Sequence, residues 1–160
     1  MTPEEMRVKA EELFKKRMHC SQALAAVGLE KMGMEDPAII RAVGAYGGGI
    51  ASSGRTCGIL LGAIAAVSAR YGKSCPEEKD DPKMWLLSFK LSKAFAQMCE
   101  PYGGTDCKDI ARVEWRDKDQ VKTFYGQPDS RRTICTELTG KLAKYLGELL
   151  EEAGAARGSD

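Results

Sequence analysis

Apolar residues recur every three or four positions along most of this chain, which is the spacing of one buried face of an α-helix. The clearest stripes lie within residues 2–18, 82–99 and 130–149. Thr2 and Ser130 stand where the first and last of these helices are expected to begin, and a hydroxyl can cap a helix there. No alternating pattern typical of a strand is longer than four residues, and no internal repeat is present.

Shorter segments between these stripes also have helical character. One helix is expected from about Cys20 to Met32, one is opened by Asp36-Pro37, and Asp106 begins a short element. Ser53 or Thr56 is expected to cap a further helix that runs to residue 71 and is apolar on nearly all sides, so it belongs in the centre of a bundle. The pattern predicts an all-α fold, a single compact helical bundle of about five to seven helices. We expect one domain over residues 1–153 and a frayed tail over residues 154–160.

Charge and length exclude several classes of partner. The chain has 160 residues with 24 Lys and Arg against 23 Asp and Glu, so its net charge of +1 gives no broad surface for nucleic acid. The longest uncharged stretch has 14 residues, from Thr56 to Ala69, whereas a membrane span needs about 20. The first residues lack the basic and apolar regions of a secretory signal. We therefore expect a cytoplasmic protein with no nucleic-acid partner and no membrane span.

Six cysteines dominate the candidate chemistry. In a reducing compartment, thiols are more often free, metal-bound or catalytic than locked in disulfides. The sequence has no CxxC motif, so any shared site has to be assembled by the fold from distant segments. The cysteines are Cys20, Cys57, Cys75, Cys99, Cys107 and Cys135.

Four of these cysteines lie near predicted helix N-termini: Cys20, Cys57, Cys107 and Cys135. Free N–H groups and the partial positive charge of a helix start stabilise a thiolate and lower its pKa. Cys57 also follows Arg55, which gives it the most favourable setting for a nucleophile. The alternative is that each cysteine is a small buried hydrophobic residue.

Glycines around Cys57 indicate that the backbone there closely approaches a bound cofactor or another helix. Residues 47–49 are all glycine, and Gly58 follows Cys57 directly. Such segments expose amide groups that can surround an anion, either an iron–sulfur cluster or a dinucleotide phosphate. We assign Gly48, Gly49 and Gly58 to cofactor binding, with tight helix packing as the alternative explanation.

Other candidates receive simpler interpretations. The single histidine, His19, is expected to lie at the surface or to cap a helix rather than to ligate a metal. Trp85, Trp115 and the tyrosines are expected in the core or at its rim. Cys99 and Cys107 are eight residues apart across a glycine turn, so a local disulfide between them stays open.

The order of cysteines and glycines resembles the C_GCAxxG_C_C family of redox-active proteins. The resemblance rests on four segments: Cys20-Ser-Gln-Ala, residues 47–63, Tyr102-Gly-Gly-Thr-Asp-Cys107, and Cys135. Ile59 departs from the family's CGAxxG pattern, which has alanine there. Cys75 and Cys99 lie outside the four signature cysteines. A related domain in split-Soret cytochromes is associated with an iron–sulfur cluster, so the resemblance implies redox function and makes a cluster plausible.

Three functions follow from these observations. The first is electron transfer or redox sensing by an iron–sulfur cluster, with a redox partner protein that the sequence does not identify. The second is metal-free thiol–disulfide exchange, with Cys57 as nucleophile and Cys107 or Cys135 as the resolving thiol. The third is a helical interaction module that forms a homodimer through exposed faces of the first and last helices. The cluster ligands would be Cys20, Cys57, Cys107 and Cys135.

Overall fold

The computed structural model describes residues 1–154 of the protein, and these residues contain eight α-helices and no strand. The all-α prediction is confirmed; the eight helices exceed the expected five to seven because the short helix Lys118–Gly126 is missing from the prediction. Most of the predicted tail, residues 155–160, lies outside the described residues. The helices are α1 (Pro3–Lys15), α2 (Cys20–Lys31), α3 (Pro37–Ala42), α4 (Gly58–Tyr71), α5 (Pro82–Cys99), α6 (Cys107–Ile110), α7 (Lys118–Gly126) and α8 (Arg132–Glu152).

Side-chain caps explain where several helices begin. Thr2 caps α1 by accepting a hydrogen bond from the Glu5 N–H at 3.2 Å, and Asp117 caps α7 by accepting from the Asp119 N–H at 2.9 Å. The expected cap of α4 by Ser53 or Thr56 is wrong, because Cys57 occupies that position. Thr56 pairs instead with Asp106 in an isolated antiparallel bridge, and the Ser53 hydroxyl donates to the Gly49 carbonyl.

Helix α4 is the central helix, as its apolar sequence predicts. It packs against α2, α5 and α8, while α1 lies against α8 and α2. Leu24, Leu91, Phe95 and Leu142 come from three different helices and are fully buried in the common core. Within residues 1–154, no helix combines the length and the apolar character needed to cross a membrane.

Small residues allow α2 and α4 to approach each other closely. A Cβ atom added to Gly62 would overlap the backbone carbonyl of Ser21, and one added to Gly28 would lie 2.6 Å from the Cβ of Ala66. The buried Ser21 hydroxyl has a hydrogen-bond partner in this contact, because it donates to the Val43 carbonyl at 2.7 Å. The two helices therefore cross nearly in contact, and their N-terminal ends lie side by side.

This contact predicts that Gly62→Ala is destabilising. The new methyl group must displace the Ser21 backbone, and such overpacking costs roughly 1–3 kcal/mol in the free energy of unfolding. The matched control is Gly126→Ala at the end of α7, where an added Cβ meets nothing within 4 Å. That change should be neutral or stabilising by up to about 1 kcal/mol. Urea unfolding followed by circular dichroism measures both, and equal midpoints for the two variants would contradict the proposed packing.

Candidate functional site

A cavity of about 370 Å³ lies where the N-terminal ends of α2, α4 and α6 meet the first turn of α8. Cys20, Cys57, Cys107 and Cys135 all contribute to its wall. The fold therefore brings the four predicted site cysteines to one cavity, although their roles as ligands or nucleophiles stay predictions.

The two remaining cysteines are elsewhere. Cys75 lies in the turn between α4 and α5, and Cys99 ends α5 in the hydrophobic core. Burial raises the pKa of Cys99 to about 11, so it is a neutral thiol at physiological pH. All six cysteines are free thiols in the structure, so the Cys99–Cys107 disulfide left open by the sequence is absent.

Each of the four cavity cysteines is placed by the start of a helix, as the sequence predicts. Cys20 is the first residue of α2, Cys57 is the N-cap residue of α4, and Cys107 is the first residue of α6. Cys135 lies in the first turn of α8. At these helix starts, backbone N–H groups donate toward the sulfur atoms of Cys20, Cys57 and Cys135.

Backbone hydrogen bonds join the Cys57 segment to the Cys107 segment. The Cys57 N–H donates to the Thr105 carbonyl at 3.0 Å, and the Cys107 N–H donates to the Arg55 carbonyl at 2.7 Å. Together with the Thr56–Asp106 bridge, these bonds hold two cysteines that are 50 positions apart in sequence on adjoining backbone. This backbone pairing fixes the Cys107 segment beside the Cys57 segment. The helical periodicity of the sequence does not predict it.

The loop between α3 and α4 forms another wall of the cavity and has an unusual backbone. Residues 48–52 all have positive φ angles, between 51° and 73°, including the non-glycine residues Ile50, Ala51 and Ser52. Each L-residue in this left-handed region costs about 1–2 kcal/mol, so the surrounding structure has to hold the loop in place. The Ala51 N–H donates to the Ala45 carbonyl at 2.7 Å and contributes to that. Strain of this kind is concentrated at functional sites.

The three glycines assigned to cofactor binding differ in position. Gly48 lines the cavity. Gly49 packs against the Cys107 segment, because an added Cβ would lie 2.5 Å from the Arg55 carbonyl oxygen and 2.7 Å from the Cβ of Cys107. Gly58 lies against Cys20, with an added Cβ only 2.7 Å from its sulfur. The tight-packing explanation therefore applies to Gly49 and Gly58, and their cofactor roles remain untested.

Cys20 and Cys57 form the most polarised pair in the cavity. The Cys57 thiol donates a hydrogen bond toward the Cys20 sulfur, which lowers the pKa of Cys20, and the backbone N–H groups of Ser21 and Gly58 act in the same direction. The same contact and burial raise the pKa of Cys57 well above its usual range. The expectation that Cys57 is the activated thiol stays a prediction, and the contact with Cys20 acts against a thiolate at Cys57.

Burial dominates the other two thiols. It raises the pKa of Cys107 to about 11, even though the Trp115 indole N–H donates to the Cys107 sulfur at 3.4 Å. The pKa of Cys135 is also raised, first by burial and then by the neighbouring sulfurs of Cys20 and Cys107. Cys57, Cys107 and Cys135 are only 4%, 7% and 7% exposed. The cavity therefore resists carrying several thiolates unless a cation is present to offset them.

Aromatic side chains complete the cavity, and this wall was not expected from the sequence. Phe14, Trp115, Phe124 and Tyr125 line it, and the Trp115 and Phe124 rings meet edge to face with centroids 5.1 Å apart. Two of these rings lie on α7, which is missing from the prediction. Its signal was the capping residue Asp117 followed by Val121, Phe124 and Tyr125 at helical spacing.

His19 occupies the N-cap position of α2 and also lines the cavity. Its backbone N–H donates to the Gln22 side chain at 3.3 Å, and its ring packs beside Gly47. In the part of the chain that the structure describes, no group of three or more His, Cys, Asp or Glu side chains is arranged to hold a metal ion.

Comparison with known proteins identifies the class to which this site belongs. The family model described as "Putative redox-active protein (C_GCAxxG_C_C)" matches residues 18–149, a range that contains all four cavity cysteines. The chain belongs to this family of redox-active proteins. No curated protein and no solved structure matches it.

The pKa order within the cavity predicts the order of alkylation in the metal-free protein. Because the pKa of Cys20 is lowered, its thiolate forms at lower pH and should react with iodoacetamide before Cys57, Cys107 and Cys135. Peptide mass spectrometry across pH 6–10 measures the site-specific rates, and Cys57→Ala should move the Cys20 profile to higher pH. Labelling of Cys57 ahead of Cys20 would contradict the assignment.

Proposed function

We propose that this protein binds an iron–sulfur cluster through Cys20, Cys57, Cys107 and Cys135 and uses it for electron transfer or redox sensing. The observation that carries the proposal is that four thiols from four helix starts line one cavity. A cytoplasmic location, where free thiols persist, belongs to the same proposal.

The donor set and the size of the cavity support a cluster over a single ion. Thiolates are soft ligands that favour iron–sulfur centres, zinc or copper(I). A single zinc ion needs all its sulfur ligands within about 2.3 Å of one point. Four thiols line a cavity of about 370 Å³, a volume that can hold a centre larger than one ion. The lining residues also include no carboxylate, a ligand that harder cations prefer.

The electrostatics of the cavity support the same proposal. The contact with Cys20 and burial raise the pKa of Cys57, and burial raises those of Cys107 and Cys135, so the metal-free site keeps protons that bound iron ions would replace. The Ser21 and Gly58 amides already stabilise negative charge on Cys20, and the Trp115 indole donates to Cys107. When bound, a cluster supplies one-electron redox chemistry, and donors of this kind tune its potential.

Iron and acid-labile sulfide analysis of protein purified without oxygen tests the proposal. We expect both elements in the wild-type protein, together with visible absorption from sulfur-to-iron charge transfer. Replacing Cys20, Cys57, Cys107 or Cys135 by serine should remove most of the iron, because each supplies one ligand.

The matched control is Cys75→Ser, which changes a cysteine outside the cavity and should leave iron content unchanged. Two outcomes count against the proposal: a colourless, iron-free protein after anaerobic reconstitution, or equal loss of iron in the control. Circular dichroism on each variant separates loss of ligand from loss of fold.

The second candidate function is metal-free thiol–disulfide exchange, which the Cys20–Cys57 contact favours. Cys20 is the only one of the four cavity cysteines that is not buried, and its pKa is lowered, so it is the better nucleophile of the pair. The Cys20 thiolate would attack a disulfide of the substrate and release one substrate thiol. Cys57 would then lose its proton, form the Cys20–Cys57 disulfide and release the second thiol. Two electrons pass to the substrate, and its two thiols take one proton from Cys57 and one from solvent.

Thiol titration distinguishes this candidate from the first. Mild oxidation of the metal-free protein should remove two thiols per chain, reversibly, and Cys20→Ser or Cys57→Ser should abolish that loss. Cys107→Ser should leave the cycle intact, which separates this pair from the pairs expected from sequence. If the protein shows neither iron nor a reversible thiol pair, the helical interaction module describes it better.

A further inference from the structure

The exposed face of α5 is the most unusual surface of the protein. Among residues 1–154, the three most exposed large apolar side chains are Trp85, Leu86 and Phe89, at 69%, 55% and 69%. All three lie on α5, whereas the other exposed large apolar residues are at most 42% exposed. The expectation that Trp85 lies in the core or at its rim is therefore wrong, because its ring stands on the outward face of α5. Contiguous apolar surface of this kind marks an interaction site.

The opposite side of α5 is already used by the core. Leu87, Leu91 and Phe95 face inward, and α5 packs against α4 and α8. The outward seam consists of Trp85, Phe89, Ser92 and Ala96, spaced alternately by four and three residues. That spacing is the seam of a two-helix coiled-coil contact.

Side-chain size decreases along the seam, and this pattern makes the seam complementary to a second copy of itself. Its N-terminal half carries two bulky rings, and its C-terminal half carries two small side chains. When two copies of α5 pair antiparallel about a two-fold axis near residues 90 and 91, Trp85 faces Ala96 of the second copy and Phe89 faces Ser92. Every large side chain then meets a small one, which is the condition for close packing. A parallel pair would set Trp85 against Trp85 and leave a gap between the two Ala96 residues.

We propose that α5 is a self-association surface and that the protein forms a symmetric antiparallel homodimer through it. The interface is isologous, since the same residues contribute from both copies. This differs from the dimerisation through the first and last helices expected from sequence. On those helices the one exposed large apolar side chain within the described residues is Val8, at 42%.

The available area is sufficient for such a dimer. A buried aromatic side chain contributes on the order of 150–250 Å², so the exposed parts of Trp85 and Phe89 with Leu86 offer roughly 300–400 Å² of apolar surface per copy. Homodimer interfaces are about 65% apolar, so this corresponds to roughly 1,000 Å² in total from both copies. That value reaches the lower limit for a specific interface.

The interface leaves the cysteine cavity open. No residue of α5 lines that cavity. Dimerisation and cofactor binding are therefore independent, and each can fail without the other.

A charge-neutral swap tests the proposed pairing. Sedimentation velocity over a range of concentrations should show a dimer for the wild-type protein. Phe89→Ser should weaken association at least tenfold because it removes a ring, and Ser92→Phe should weaken it because two rings then collide. The double variant Phe89→Ser with Ser92→Phe restores one large and one small residue at each contact, so it should associate more tightly than either single variant.

Val8→Ser is the matched control, since it removes an exposed apolar side chain from a different helix and should not change association. All substituted positions are exposed, so circular dichroism should show unchanged helix content.

Tryptophan emission gives a second measurement, because the emission of Trp85 should shift to longer wavelength when the dimer is diluted. A wild-type protein that stays monomeric at high concentration overturns the proposal, and so does a double variant no better than the single ones. Adsorption of the monomer to neutral lipid vesicles, without dimerisation, would also overturn it. Iron content should be unchanged in Phe89→Ser, so that a loss of dimerisation is distinguished from a loss of the cluster.

Discussion

The close crossing of α2 and α4 is the constraint on which the rest of the structure depends. It requires that no side chain stand between Gly62 and the Ser21 backbone or between Gly28 and Ala66. Because the helices nearly touch, Cys20 at the start of one lies beside Cys57 at the start of the other. Gly58 extends the same contact to the sulfur of Cys20. Packing and candidate chemistry thus depend on the same small residues.

A second constraint attaches the rest of the cavity to this crossing. The bridge between Thr56 and Asp106 holds α6 beside the start of α4, and α8 contributes Cys135 through its packing against α1, α2 and α4. The loop over residues 48–52 keeps five consecutive left-handed residues at the cavity wall. A rigid helical frame is what allows such a loop to persist, since its conformation is unfavourable by itself.

Burial and mutual contact decide the acidity of the four thiols more than helix position does. Cys20 and Cys57 both stand at helix starts, yet the pKa of Cys20 is lowered and that of Cys57 is raised. The difference arises because one sulfur accepts the hydrogen bond that the other donates. Cys107 and Cys135 share the helix-start position but have raised pKa values, because desolvation outweighs the effect of the nearby hydrogen-bond donors.

The residues of the chain, read in order, were enough to predict an all-helical fold, the bounds Pro82–Cys99 of α5, and which four cysteines meet at one cavity. These features depend on local periodicity, helix caps and a family pattern, and all three can be identified from the order of residues in the sequence. Helix α7 also has a local sequence signal, namely Asp117 and the apolar residues after it, but it is missing from the prediction. Three further features required the folded chain: the indole of Trp115 against Cys107, the reversed acidity of Cys20 and Cys57, and the uncovered rings of Trp85 and Phe89. Each depends on distances and solvent exposure between segments far apart in sequence, and only tertiary packing determines those quantities.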